Sequence, residues 1–371
     1  MQSVLQAGLA TGMSAVSGIH SSKPKWADHS LAGANLMPDD FCPDPESRIE
    51  IPTKSGTPVR ASYLCVGLWW PWGDTATWNY TADELPAIKA AWDVLCQAGI
   101  NFIDTAEAYA SGTSEEIVGG LIKDLPRDSY VIQTKWLSTP MMADNFLHPI
   151  DAPVKSLRGS LERLGLEYVD IYLIHGLIHP QSIAHAAEGM AKCVELGLAK
   201  AIGVANYDRD DMLQMKTELV KYNIPLSVNQ CEFNVLRRYP EISDEGVMKT
   251  CRAEGIIFQS YSSLAQSRLS GKHNVENPPP KTCRFSNYDM EVVDPIVDVL
   301  RKIGQQRGKN VPSVALNYNI SKGALPLVGI KNPEQARDVV DALGWRLTRD
   351  EVIEIDKVSI EGKKTVLWQQ G

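Results

Sequence analysis

An α/β chain folded as a (β/α)8 TIM barrel, with a β-hairpin and an extra arm at its amino end, is the architecture the sequence predicts. Eight short β-rich runs recur between residues 63 and 328, and stretches of helical spacing separate most of them. No Gly-x-Gly-x-x-Gly follows the first run, which weakens the competing doubly wound sheet.

Residues 1–47 carry no sustained periodicity and are broken by Gly, Ser and Pro, including Pro24, Pro38, Pro43 and Pro45, so they read as an irregular arm. The barrel unit, 48–371 with a C-terminal tail, opens with alternation on both sides of Ser55-Gly56, which predicts the hairpin. The β-rich runs follow at 63–67, 101–104, 130–135, 169–175, 201–204, 226–229, 256–261 and 325–328. Between the first two, Ala87, Ile88, Ala91, Trp92 and Leu95 fall on one helical face before Ala98-Gly99 stops the helix.

Composition removes several classes of function. The chain has 371 residues, 37 Lys+Arg against 45 Asp+Glu and a net charge of −8, with no block of like charge to grip nucleic acid or an anionic membrane. Its longest apolar run, 324–330, is far below the roughly 20 residues a membrane-spanning helix needs. The start lacks Lys and Arg and is interrupted by Gly8, Gly12 and Gly18, which does not fit a secretory signal. Seven widely spaced cysteines without a CxxC pair fit neither a disulfide framework nor a zinc site, so buried, reduced thiols in the cytoplasm are expected.

Barrels of this kind build their active sites at the carboxyl ends of the strands. There, Asp104 ends the second run, Lys135 the third and His175 the fourth, while Tyr109 lies five residues beyond Asp104. Taken singly, a strand-end Asp is commonly a helix cap and a loop Lys or Tyr is commonly solvated. Converging in one cleft, they make a proton relay. A buried ammonium favours phenolate and lowers a tyrosine from its usual pKa of about 10. At about 4 Å and an effective dielectric near 20, the attraction is on the order of 4 kcal/mol, enough for a shift of up to about three units. The Asp keeps the Lys charged, and the His supplies a hydrogen bond to the same substrate oxygen. Tryptophans crowd the strand ends, with Trp69, Trp70, Trp72 and Trp78 after the first run and Trp136 after Lys135. Trp69 and Trp136 are the choices for shaping an apolar or aromatic substrate pocket. His175, His179 and His185 lack a matching acidic ligand, so no metal is expected.

The segments Asp104-Thr-Ala-Glu-Ala-Tyr109, Gln133-Thr-Lys135, Ser160-Leu-Glu-Arg-Leu through His175, Ala201-Ile-Gly-Val-Ala-Asn206, Asn229-Gln-Cys-Glu-Phe-Asn234, Tyr261-Ser-Ser-Leu and Pro326-Leu-Val-Gly-Ile-Lys resemble, in that order, the aldo-keto reductase family. The resemblance covers roughly 48–362, and the segment 343–348 with the tail 357–371 looks most like fungal members, some of which serve secondary metabolism. It implies NADP(H) held across the barrel mouth and reduction of an aldehyde or ketone, with Tyr109 as general acid, Lys135 and Asp104 tuning it and His175 orienting the substrate. Asn206 and Gln230 match positions that hold the nicotinamide carboxamide, and Tyr261 matches the ring stacked on the nicotinamide. Ser262, Leu264, Gln266 and Arg268 match the pyrophosphate and ribose loop. Gly329, Lys331 and Gln335, with Arg284 as a weaker candidate, fall where the family grips the 2′-phosphate and adenine. Lysine suits phosphate, so NADP is preferred to NAD. The long connection from Ser267 to Met290 reads as a loop clasping that cofactor.

Three positions depart from the family pattern: Ala110 replaces a glycine, Ala205 a serine, and Leu177 a proline. The quartet itself is intact. Family members that reduce carbon–carbon double bonds carry an acid in place of the histidine, so His175 favours carbonyl reduction. Two alternatives stand beside a reductase of small carbonyl compounds. One is an NADP-binding regulatory subunit, for which the arm leaves room; the other is a nicotinamide-assisted isomerase or dehydratase.

Overall fold

A computed structural model describes residues 25–67, 82–139, 142–176, 181–244, 246–279, 288–362 and 364. The hairpin forms where the alternation places it. Strands β1 (Arg48–Ile51) and β2 (Val59–Ser62) pair antiparallel, with Ile51 opposite Val59. Gly56 in the connecting turn has φ 80°, a left-handed conformation that glycine adopts without steric cost.

Eight further strands close into one parallel barrel. They are β3 (Cys65–Gly67), β4 (Phe102–Asp104), β5 (Val131–Trp136), β6 (Val169–Ile174), β7 (Ala199–Ala205), β8 (Leu226–Glu232), β9 (Ile257–Tyr261) and β10 (Leu325–Gly329), arranged in the order β10-β3-β4-β5-β6-β7-β8-β9. Every expected run overlaps its strand, with ends displaced by no more than three residues. The predicted first helix is α1 (Leu85–Gln97), which buries Ile88, Ala91, Trp92 and Leu95 and ends before Gly99 at φ 88°.

Side-chain parity divides the core into two layers. Cys65, Phe102, Val131, Ile171, Leu173, Ala201, Val228, Leu325 and Leu327 pack inside the barrel together with Ile51, Val59 and Ala61 of the hairpin. The hairpin thus plugs the amino ends of the strands, and the Ser227 hydroxyl fastens it by donating to the Pro52 carbonyl at 2.7 Å. The intervening residues, such as Val66, Ile103, Ile132, Tyr172 and Val204, face outward and meet the helices. With one end plugged, the carboxyl ends remain for chemistry.

The described part of the arm, 25–47, is bound tightly to the barrel unit. Trp26 bridges to Ile360, Met37 N–H donates to the Ser321 carbonyl at 2.9 Å, and Gly344 N–H donates to the Pro43 carbonyl at 2.9 Å. The expectation of uniformly buried thiols is corrected: Cys65, Cys193, Cys231 and Cys251 are buried, but Cys42 in the arm and Cys96 on the outer face of α1 are exposed. Cys283 lies outside the described residues.

Candidate active site

Strand geometry brings the relay together. Asp104 closes β4 and Lys135 lies on the neighbouring β5, both on the inward parity and fully buried. The Lys135 ammonium donates to Asp104 Oδ2 at 2.6 Å, to the Thr105 carbonyl at 2.9 Å and to the Tyr109 phenol oxygen at 3.1 Å. Burial alone would lower the Lys135 pKa, yet Asp104 and Tyr109 outweigh it and the pKa is raised. The ammonium is therefore charged and directed at the phenol.

His175 follows β6 and is aligned by its backbone N–H, which donates to the Trp136 carbonyl at 2.9 Å. Its ring meets that of Tyr109 edge to face, with centroids 5.4 Å apart. Burial, reinforced by Lys135, holds its pKa well below the ordinary value, so the imidazole is neutral.

The loop that delivers Tyr109 is anchored at several points. Glu107 accepts from Leu137 N–H at 2.6 Å and from the Ser156 hydroxyl at 2.5 Å. Thr105 and Ser114 share a hydroxyl contact of 2.9 Å. After Tyr109, Ala110, Ser111 and Gly112 run through φ 47°, 56° and 97°, so the alanine in place of the family glycine sits in strained left-handed backbone.

The expected cofactor residues line the adjoining rim. The Tyr261 hydroxyl donates to Asn206 Oδ1 at 2.8 Å, joining the ends of β9 and β7. Gln230 sits on β8 between them, and Asn206 N–H donates to its carbonyl at 2.9 Å. Beyond β9, Ser262, Ala265, Gln266 and Ser267 all adopt positive φ, a sharply curled loop carrying Leu264. Arg268 follows, buried, with Nε donating to the Tyr288 carbonyl at 3.3 Å. Burial lowers the Arg268 pKa, which does not discharge a guanidinium. Gly329 ends β10 with open space at its Cα, and Lys331 N–H donates to Gln335 Oε1 at 2.9 Å. The Lys331 ammonium lies 3.8 Å from Glu84 Oε1. A cation, a buried guanidinium and a loop of left-handed backbone along one edge fit an anionic dinucleotide. Trp69 and Arg284 lie outside the described residues.

One expectation is overturned. Trp136 does not line the pocket: Lys135 takes the inward parity, which turns Trp136 outward among the helix-facing core. It is 1% exposed, and its indole N–H donates to Asn145 Oδ1 at 3.0 Å. It is a packing residue that holds the segment after β5. Among the described residues no group of three or more His, Cys, Asp or Glu could hold a metal ion.

Sequence reasoning passed over two buried side chains that touch the relay or its support. Gln133 Nε2 donates to Asp104 Oδ1 at 2.6 Å and to Gln259 Oε1 at 2.9 Å. Each lies two residues before a singled-out strand residue, Lys135 and Tyr261, and period-two parity would have placed both inside the barrel.

Comparison with known proteins decides the family. The aldo/keto reductase family model matches residues 63–360. The chain belongs to the aldo/keto reductase family. The pyridoxal reductase of Arabidopsis thaliana chloroplasts is 29% identical over 84% of this chain and 86% of that protein. The NADH-specific methylglyoxal reductase of Escherichia coli K12 is 31% identical over 79% and 93%. Among solved structures, a glycerol dehydrogenase of Gluconobacter oxydans superposes with TM-score 0.69 at 25% identity, covering 84% of this chain and 95% of that one. A Bombyx mori aldo-keto reductase in complex with NADP gives TM-score 0.62 at 26% identity, over 84% and 93%. As a member of this family the protein is a nicotinamide-dependent oxidoreductase of carbonyl compounds.

Proposed function

We propose that this aldo/keto reductase uses NADPH to reduce an apolar or aromatic aldehyde or ketone to the alcohol, with Tyr109 as the general acid. The observation that carries the reading is the contact chain from Asp104 through Lys135 to the Tyr109 oxygen, at 2.6 and 3.1 Å, closed from solvent except at Tyr109. When bound, the nicotinamide supplies the hydride to the carbonyl carbon. The chain's own residues do the rest. The phenol of Tyr109 gives its proton to the carbonyl oxygen as charge develops there, and the Lys135 ammonium stabilises the phenolate left behind. Neutral His175 orients that oxygen by hydrogen bonding without competing for the proton.

An apolar substrate is supported by the segment after β5, where Met142, Phe146 and Leu147 are exposed while Asn145 is buried and ties the segment to the Leu137 and Thr139 carbonyls at 2.9 Å. An intermediate of fungal secondary metabolism would suit such a rim. Tyr109→Phe tests the acid: turnover should fall by several orders of magnitude with NADPH quenching of tryptophan fluorescence retained, and retained turnover would refute it.

The preference for NADPH rests on Lys331, together with Gln335 and Arg268, as the grip on the 2′-phosphate and pyrophosphate. Lys331→Ala should raise the NADPH dissociation constant by roughly tenfold or more while leaving NADH within about twofold. Equal losses for both cofactors would remove Lys331 from the phosphate site.

A further inference from the structure

Three glutamines occupy the interior of the barrel beneath the relay. Gln133 comes from β5, Gln230 from β8 and Gln259 from β9, and all are buried. Such barrel layers are ordinarily filled by branched apolar residues, and three buried amides are costly unless every group is satisfied. Here the amides satisfy one another. Gln133 Nε2 donates to Gln259 Oε1 and Gln259 Nε2 donates back to Gln133 Oε1, both at 2.9 Å, while Gln230 Nε2 donates to Gln259 Oε1 at 3.0 Å.

That pattern fixes the orientation of each side chain. With the Gln133 and Gln259 carbonyls engaged within the trio, amide hydrogens are what it presents upward. Gln133 Nε2 reaches Asp104 Oδ1 at 2.6 Å and Gln230 Nε2 reaches the same oxygen at 3.4 Å. Flipping Gln133 would set its carbonyl against a carboxylate oxygen and break the reciprocal pair. Oδ1 thus receives N–H donors while Oδ2 receives the Lys135 ammonium. A carboxylate can accept all of these, whereas a protonated acid at Oδ1 would confront donor with donor.

We propose that Gln133 and Gln259 are positioning residues that hold the Asp104 carboxylate aimed at Lys135, and so set how firmly the Lys135–Tyr109 pair keeps its protons. The inference rests on Tyr109 acting as the acid. The other groups facing the relay do not share this task. Burial holds His175 neutral, and burial also raises the Cys65 thiol and the Tyr261 phenol well above their ordinary values. Asp104 is the anion beside the pair, and an anion raises the proton affinity of its neighbours. Loosening it lets the pair lose its first proton at lower pH.

The test uses the full-length protein with NADPH and an aromatic aldehyde. Gln133→Met keeps length and volume but cannot hydrogen-bond to Asp104. It should lower kcat by roughly tenfold or more, leave KM and the NADPH dissociation constant within about twofold, and move the alkaline limb of the kcat/KM profile down by about half a unit or more. Gln259→Leu, one contact further from Asp104, should shift the limb in the same direction by less. Should Gln133→Met fail to fold, Gln133→Leu, which likewise offers no donor to Asp104, serves in its place, with the same displacement expected. A wild-type kcat and an unmoved limb in the folded variants would overturn the inference. Tyr109→Phe separates the two failures: if it retains turnover the acid assignment falls, whereas if it is inactive and the glutamine variants behave as wild type, only the positioning role falls.

Discussion

Glu107 lies two residues before Tyr109 and clips its loop to the end of β5 and, through Ser156, to helix α2 (Ala152–Leu164). Burial pushes its pKa up to about 7, with the Ser156 and Leu137 donors pulling the other way. The folded value lies above the unfolded one, so this group's stabilising contribution is complete below about pH 4.5 and is lost as pH rises through about 7. The full shift would correspond to roughly 3 kcal/mol; because part of the residue reaches solvent, about 2 kcal/mol is expected. Glu107→Gln can keep both contacts, with Ser156 accepting from the amide, and carries no charge to desolvate. Melting temperatures of the two proteins should therefore nearly agree at pH 5 and diverge by pH 8, where the Gln variant is the more stable. Parallel pH dependences would show that the carboxyl is not desolvated. The relay residues themselves were legible in sequence because strand ends are identifiable from β-rich runs; Glu107, inside a signature segment, gave no sign that its carboxyl was buried.

The strands are legible in the sequence because each run is short, carries at least one β-branched residue and is bounded by turn signals. Parity, not proximity in sequence, decides which side of a strand faces the barrel interior. Proximity to Lys135 suggests the barrel mouth for Trp136, but parity sends consecutive residues to opposite faces. Applying parity from Lys135 and Tyr261 would have rejected Trp136 and found Gln133 and Gln259 together. The same geometry makes Gly203 on β7 a packing requirement. A Cβ there would stand 2.4 Å from Leu173 Cδ2 and 2.8 Å from the Val228 carbonyl, at a place where the β7–β8 register already shifts between Ile202 and Gly203. Gly203→Ala should cost about 1–3 kcal/mol, since the obstruction includes backbone that cannot rotate away. Guanidinium unfolding midpoints measure it, and an unchanged midpoint would mean that β7 and β8 separate more readily than the barrel's packing implies.

Across the whole molecule, the arm and the barrel are joined by a buried ion cluster that sequence could not disclose, because it draws on three separate stretches of the chain, Arg238 with Glu241, Lys322, and Asp356. Lys322 donates to Glu241 Oε1 at 2.6 Å and to Asp356 Oδ2 at 2.8 Å, and Arg238 donates to Glu241 Oε2 at 2.7 Å and pairs with Asp356 Oδ1 at 3.2 Å. All four side chains are fully buried, two cations against two anions. The arm is written into the same cluster: Gly33 N–H donates to Asp356 Oδ2 at 2.7 Å, and the Ala34 carbonyl accepts from Lys322 at 2.9 Å. Its lack of periodicity and its Gly, Ser and Pro residues predict an irregular arm, and in the described part of it the backbone groups of Gly33 and Ala34 are satisfied by charged side chains of the barrel unit. Asp356→Ala would leave two buried cations facing one anion and remove the acceptor for Gly33, at a cost of about 3–5 kcal/mol. Because the arm has few apolar anchors of its own, it should detach before the barrel opens. Chymotryptic cleavage after Leu31, Leu36 or Phe41, followed alongside far-UV circular dichroism, distinguishes the two events. Cleavage in the arm while helical signal persists is the expected result for Asp356→Ala; cleavage that merely tracks loss of the helical signal would mean that arm and barrel unfold as one unit.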